Sequence, residues 1–239
     1  MPGHLLPYAN FRVHKHGPCV AGSACFNYIG VPSLYIITGS NGAGKSTVGP
    51  DYLPDHIRNN YIVFDGDLLF VTKQRELFPH VTRSPKEARK LAFEYVVETF
   101  ERLSADALAD GNTFVYEGHF TNDATWDTPR RFRAAGYDIN LLFFGLADPD
   151  LSQLRVTDRV MEGGHFVDRL TIEDNFRGNL EMLNLNFRII DHLTIVDTSE
   201  IKHVTLATLN SGKIVSALPS LSLPGWFTRY MPDIAELIV

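Results

Sequence analysis

A chain of 239 residues, 44% hydrophobic and 21% charged, is long enough for one soluble domain with a sizeable core and some trimmings. Its 28 Asp+Glu outnumber its 22 Lys+Arg, giving a formal charge of -6, so the general basic field that drives nucleic-acid binding is missing and only a local basic pocket for a phosphorylated small molecule stays open. The longest apolar runs are strand-length, too short to span a bilayer, and Cys19 and Cys25 alone make no disulfide framework, which points to a reducing cytoplasm.

In chain order, residues 1–31 carry Gly, Pro and His without a clear period and read as an irregular N-terminal extension. They show no charged start followed by an apolar run, so no signal peptide is expected. His14, His16, Cys19 and Cys25 match no closed zinc spacing. Leu34–Thr38 is a short apolar run that predicts a buried strand leading into a glycine-rich loop, with a helix starting near Lys45. Tyr61–Asp65 predicts a second strand. Ser84-Pro85-Lys86-Glu87 is a capping box with proline at the first helical position. The helix it opens carries Leu91, Ala92, Tyr95, Val96, Leu103 and Ala107 as an apolar stripe and stops at Gly111. Thr113–Glu117 predicts a third strand, Pro129–Ala135 a helix ending at Gly136, and Asn140–Phe144 a fourth strand. Asp148-Pro149 opens a helix that runs past Arg159 and breaks at Gly163-Gly164. Thr171 is expected to cap the next helix, which runs toward Phe187. His192–Asp197 is a fifth strand, and Asn210-Ser211-Gly212 a hairpin turn. From Leu218 a proline-rich tail follows, with Trp226 and Phe227 expected to pack back.

Short strands alternating with helices predict a three-layer α/β P-loop fold with a mainly parallel sheet. The expected division is an extension at 1–31, a kinase-type domain at 32–217 and a tail at 218–239.

Gly39-Ser40-Asn41-Gly42-Ala43-Gly44-Lys45-Ser46 fits the pattern G-x-x-x-x-G-K-[ST] without a mismatch, and Thr47 follows it. Glycines let successive backbone N–H groups aim inward and leave room for phosphate oxygens, and the following helix N-terminus adds donors and partial positive charge. Lys45 is expected to reach the β- and γ-phosphates of ATP and the Ser46 hydroxyl to ligate Mg²⁺. Asp65, Asp67 and Glu117 sit at strand ends, where α/β sheets bind ligands. They can organise magnesium or take a proton from an acceptor hydroxyl; an Asp after a strand can equally cap the next helix. Arg155, Arg159 and Arg169 flank the Gly163-Gly164 break and are candidates for stabilising charge on a transferring phosphoryl group, or plain helix-surface residues. An LSGGQ-like stretch and an N-K-x-D signature are both lacking, which argues against a transporter ATPase and a GTPase.

From Pro32 to Ser199 the chain resembles the zeta-toxin family, through PSLYIITGSNGAGKST, VFDGD, VYEG and above all RVMEGGHFVDR. The resemblance implies an ATP-dependent kinase that phosphorylates the 3′-hydroxyl of the sugar in UDP-N-acetylglucosamine, with a small antitoxin that blocks the ATP site. It implies Asp67 as catalytic base, Glu101 and Glu117 in contact with substrate, and Arg159 and Arg169 on the ATP phosphates. His119 and Thr121 are added as polar groups for the sugar wall. Asp168 stands where many zeta-like chains have proline, and His119-Phe120-Thr121 departs from the family's Gly- and Thr-rich substrate segment. The alternatives are a P-loop kinase of another metabolite, nucleoside or antibiotic, and a nucleotide-binding switch that transfers nothing.

Overall fold

The computed structural model describes residues 31–161 and 166–238; the His and Cys residues of the extension and the Gly163-Gly164 break lie outside them. The first strand, β1 (Ser33–Gly39), runs through Leu34, Ile36 and Ile37, all fully buried. Neighbouring residues of a strand point to opposite faces, so burial of both Ile36 and Ile37 means that both faces of the sheet are covered.

After β1 the loop turns into α1 (Lys45–Val48), which starts where expected but lasts one turn. Pro50 cannot continue it, because its ring clashes with the preceding turn, and the chain tightens into a 3₁₀ turn at Gly49–Tyr52. A second one-turn helix, α2 (Asp55–Arg58), leads to β2 (Phe64–Asp65), which is shorter than the predicted Tyr61–Asp65. The Tyr61 N–H donates to the carbonyl of Ile57 (2.9 Å), so the chain is still tied to α2 where the ladder was expected to begin.

Helix α3 (Gly66–Leu77) follows without a sequence expectation, since none of its residues is fully buried and its apolar pattern is weak. Helix α4 (Pro85–Asp110) is capped as predicted: Ser84 Oγ accepts from the Glu87 N–H (3.3 Å), and Gly111 ends it at φ 65°. Its buried seam is Ala88, Ala92, Thr99, Leu103, Ser104 and Ala107, which keeps Ala92, Leu103 and Ala107 of the predicted stripe and leaves out Leu91 and Tyr95. The small residues let the helix lie close to its neighbours, and the bulkier Leu91 and Tyr95 fall off the seam into solvent.

Strand β3 (Phe114–Glu117), α5 (Asp127–Ala134), β4 (Asp138–Gly145) and α6 (Pro149–Met161) come next. Helix α7 (Arg169–Asn186) is capped by Asp168 rather than Thr171. Asp168 accepts both the N–H (3.0 Å) and the hydroxyl (2.6 Å) of Thr171, because the residue with extended backbone just before the first turn is the one whose side chain reaches the free donors. Strand β5 (His192–Asp197) and the hairpin β6 (Val204–Asn210)–β7 (Lys213–Ala217) follow, with Ser211 and Gly212 both at positive φ in the two-residue turn. Two short helices, α8 (Gly225–Tyr230) and α9 (Pro232–Ala235), close the chain. Trp226 and Phe227 are buried in the main core, with the Trp226 ring against Gly145.

The sheet order is β2-β3-β1-β4-β5-β6-β7, parallel through β5 and antiparallel beyond it. The chain leaves β1 for the β2–β3 side and later returns to β4 on the other side. The crevice at the carboxyl end of β1 is therefore the topological switch point where such sheets bind ligands. Among the described residues no helix is long and apolar enough to cross a membrane.

Candidate active site

The loop between β1 and α1 is shaped by glycines that nothing else can replace. At Gly39, φ is 135° and a Cβ would lie 2.0 Å from the carbonyl oxygen of Phe144, so the chain can turn off β1 only there without a side chain. Gly42 has φ 72° and lies under the Cβ of Arg155. Among the described residues the backbone N–H groups of Gly42 and Gly44 meet no backbone acceptor, which leaves them as donors for an anion.

The loop is braced from outside. Ser152 Oγ donates to the carbonyl of Asn41 (2.6 Å), Thr198 Oγ1 to that of Ala43 (3.1 Å), and Arg155 to those of Gly42 (3.4 Å) and Ser199 (2.9 Å). Asn175 Nδ2 donates to Asn41 Oδ1 (2.8 Å). Asn179, fully buried on α7, uses its whole amide. Its oxygen accepts from the Phe120 N–H (2.6 Å) and Thr38 Oγ1 (3.2 Å), and its nitrogen donates to the Asn175 carbonyl (2.6 Å) and reaches His119 Nδ1 (3.2 Å).

A cavity of about 430 Å³ opens over this loop, lined by Asn41, Gly42, Gly44, Lys45, Ser46 and Thr47. Gly39, Ser40 and Ala43 of the same loop are buried or turned away and do not line it. Asp65, Asp67, Glu117, Arg155, Asp158 and Arg159 complete the walls. The Lys45 ammonium is buried and donates to the carbonyls of Gly39 (3.1 Å) and Ser40 (3.0 Å). Burial pulls its pKa down, and Glu117 and the two aspartates oppose this. Ser46 Oγ donates to Glu117 Oε2 (2.8 Å). The Glu117 carboxyl is pushed up by burial and held back by Lys45 and the Ser46 hydroxyl.

The three strand-end carboxylates separate into different roles. Asp65 is the cap of α3, accepting the Leu68 N–H (2.9 Å). Asp67 lies in the first turn of α3 and faces the cavity. Asp65 and Glu117 are register partners on β2 and β3.

A second cavity of about 730 Å³ adjoins the first and shares Asp65, Asp67 and Glu117 with it. His119 lines it and is partly buried. Burial, Lys45 and Arg159 together hold its pKa well below the usual histidine value, so the ring is neutral.

Three sequence-predicted residues do not come to the cleft. Glu101 sits on α4 beyond the cavity and pairs with Arg131 on α5 (3.3 Å). The cavity wall follows the face through Lys86, Arg89, Lys90, Phe93 and Val96, and the helical turn carries Glu101 off that face. Thr121 packs on α7, where a Cβ on Gly178 would fall 2.8 Å from it. Arg169 pairs with Asp150 (2.7 Å) and Glu173 (2.8 Å) and lines neither cavity; Arg155 stands beside Arg159 instead. Asn175 and Asn179 were missed, because a buried amide on a helix carries no local signal.

No curated protein sequence matches the chain. Among solved structures, AvrRxo1-ORF1 in complex with AvrRxo1-ORF2 and ATP superposes with a TM-score of 0.61 at 13% identity, covering 84% of this chain, which spans only 63% of that protein's length. The PezAT chromosomal toxin–antitoxin system of Streptococcus pneumoniae superposes with a TM-score of 0.54 at 18% identity, covering 86% of this chain and 84% of the other. These likenesses bear on the fold and agree with the phosphate-loop architecture. The zeta toxin model matches residues 23–212, a span that holds the phosphate loop, the strand-end carboxylates and every brace around them, and the chain therefore belongs to the zeta toxin family.

Proposed function

We propose that the chain is a kinase that moves the γ-phosphoryl group of ATP onto a hydroxyl of a small acceptor. The observation that carries this is the meeting of two cavities at Asp67 and Glu117. One is floored by the phosphate loop and the other is open for a second molecule.

In this reading the N–H groups of the loop and the Lys45 ammonium hold the phosphates, and Arg155 and Arg159 face the oxygens on which charge accumulates. Asp67 takes the proton of the acceptor hydroxyl as its oxygen bonds to the γ-phosphorus. The bond from that phosphorus to the bridging oxygen breaks, and ADP leaves. Among the described residues no three His, Cys, Asp or Glu side chains gather into a metal cage. Mg²⁺ needs none, since it takes one or two protein oxygens and completes its shell from phosphates and water. Ser46 Oγ and Glu117 Oε2, adjacent at the loop, fit that oxygen chemistry and would hold it. Bound there, the ion would neutralise phosphate charge.

Family membership makes UDP-N-acetylglucosamine the acceptor proposed first, and a small antitoxin over the nucleotide cleft the proposed partner. The test is mass spectrometry of the protein incubated with ATP, Mg²⁺ and a panel of nucleotide sugars. We expect a gain of one phosphate on UDP-N-acetylglucosamine. Phosphate appearing only on other acceptors would replace this substrate with another metabolite. ATP consumption that no acceptor accelerates would overturn the kinase reading in favour of a switch.

A further inference from the structure

Of the two polar residues added for the sugar wall, His119 and Thr121, only His119 lines the second cavity. Its ring nitrogens are engaged elsewhere. The Phe120 N–H donates to Asn179 Oδ1 (2.6 Å), and a backbone N–H can only donate, so the accepting end of that amide is fixed. The other end, Nδ2, can only donate, and it reaches His119 Nδ1 at 3.2 Å. Nδ1 therefore carries no proton. A ring with a bare Nδ1 has its single N–H on Nε2.

That N–H needs an acceptor. Asn41 Nδ2 stands 3.5 Å from Nε2, at the outer limit of a hydrogen bond, and the Asn41 oxygen is taken by Asn175 (2.8 Å). The carbonyl of Gly39 is the acceptor that bonds the ring. The same carbonyl accepts from the Lys45 ammonium (3.1 Å), which also donates to the carbonyl of Ser40 (3.0 Å). The Ser40 carbonyl is held besides by the Ala43 N–H (3.2 Å). Gly39, at φ 135° and without a Cβ, is the residue of the loop whose own sterics restrain its peptide least, so hydrogen bonds decide where its carbonyl points.

We propose that His119 is a positioning residue for the nucleotide rather than a ligand for the acceptor: its Nε2–H holds the Gly39 carbonyl in the orientation that seats the Lys45 ammonium over the phosphate loop. Asn179 fixes the tautomer, the ring fixes the carbonyl, and the carbonyl fixes the lysine. Only the carbon edges of the ring are left for the second cavity. The role rests on the reading of Lys45 as a phosphate ligand, and its test does not require transfer.

Two conservative variants separate the two ring contacts. His119→Asn places an oxygen where Nδ1 stands, so it keeps the Asn179 contact but falls short of Gly39. His119→Gln places an amide nitrogen where Nε2 stands, so it keeps the donor to Gly39. The probe is a non-hydrolysable ATP analogue with Mg²⁺, titrated calorimetrically into the full chain. We expect His119→Asn to bind it about 3- to 10-fold more weakly, the worth of one hydrogen bond, and His119→Gln to bind it nearly as well as wild type. In a Lys45→Ala background, His119→Asn should change the affinity by less than about 2-fold, because its effect passes through the lysine; a loss of general packing would persist there. In turnover, His119→Asn should raise the KM for ATP and leave the acceptor KM in place. Proton–nitrogen correlation NMR of the histidine rings should show His119 protonated on Nε2 alone.

A proton on Nδ1, equal affinity of wild type and His119→Asn, or a raised acceptor KM with unchanged nucleotide affinity would each overturn this role while the nucleotide site stands. A wild-type chain that binds no ATP analogue would overturn the reading of the phosphate loop, and this role with it.

Discussion

Two charged residues at the phosphate loop differ in what they do and so in how their loss should appear. Lys45 is buried against the loop carbonyls and lines the first cavity, so under the proposed function its loss should weaken nucleotide binding itself. Asp67 lies between the cavities with no part in the loop's hydrogen bonds. Asp67→Asn keeps the shape but cannot take a proton, so ATP affinity should hold while transfer falls by on the order of 10²–10⁴. Calorimetry with ATP and a product assay on the same preparation check this pair of outcomes. Full transfer by the variant would move the base elsewhere. His119 gives a second residue-scale prediction. Its folded pKa lies well below its unfolded value of about 6.5, so the unfolded chain binds a proton that the folded chain refuses. This contribution to stability is complete above about pH 6.5 and is lost as pH falls from there toward the folded pKa, by at most about 1.4 kcal/mol per pH unit. Glu117, raised by burial, acts in the opposite sense. The effect of His119 is therefore read as a difference: denaturant midpoints of wild type should fall more steeply between pH 7 and 5 than those of His119→Asn. Parallel curves would refute the neutral assignment.

The element that most changed between expectation and structure is α4. Its start and stop were legible because a capping box and a C-terminal glycine act through local hydrogen bonds and backbone angles. Its facing was legible in part: Ala92, Leu103 and Ala107 are buried as expected, while Ala88, Thr99 and Ser104 join them because small residues form a seam when the neighbour comes close. Glu101 lies off this seam and pairs with Arg131, while Lys86 and Arg89 line the second cavity. Glu101→Ala should accordingly leave acceptor KM within about twofold of wild type and cost no more than about 1 kcal/mol of stability, since it breaks an exposed ion pair. A tenfold rise in KM measured with a phosphorylated acceptor would restore Glu101 to the site. Helix α3 escaped notice for a related reason: it is held by the Asp65 cap and by its neighbour α4, and it buries no stripe of its own.

Across the whole molecule, the site depends on parts far apart in sequence. Thr38, Phe120, Asn175 and Asn179 meet in one polar network, and Thr198 beyond β5 braces Ala43. The C-terminal tail belongs to this assembly through the core. Trp226, Phe227, Met231 and Ile234 are buried, and the first lies against Gly145 at the end of β4. At about 1.5–3 kcal/mol for each such side chain, their burial contributes on the order of 6–12 kcal/mol. That is comparable with the entire stability of an ordinary domain, about 5–15 kcal/mol. A chain ending at Ala217 should therefore lose cooperative thermal unfolding and become aggregation-prone. A truncated chain with a wild-type midpoint would show the tail to be dispensable.

The sequence alone determined the phosphate loop, the alternation of strands and helices, and both ends of α4, because each rests on contacts within a few residues. Gly39, Gly42 and Gly44 carry the backbone angles, Ser84 and Gly111 terminate α4, and Ser211-Gly212 makes the hairpin turn. The tertiary structure decided which face of each helix meets the cleft, and so which polar residues belong to it. Arg155 came in and Arg169 went out, Asp65 became a cap and Asp67 stayed at the cavity, and Asn179 became the hub beneath the loop. The physical reason is that facing is set by the packing of one element on another. Residues such as Thr38 and Asn179 are 141 positions apart in the chain and meet only when the sheet and α7 come together.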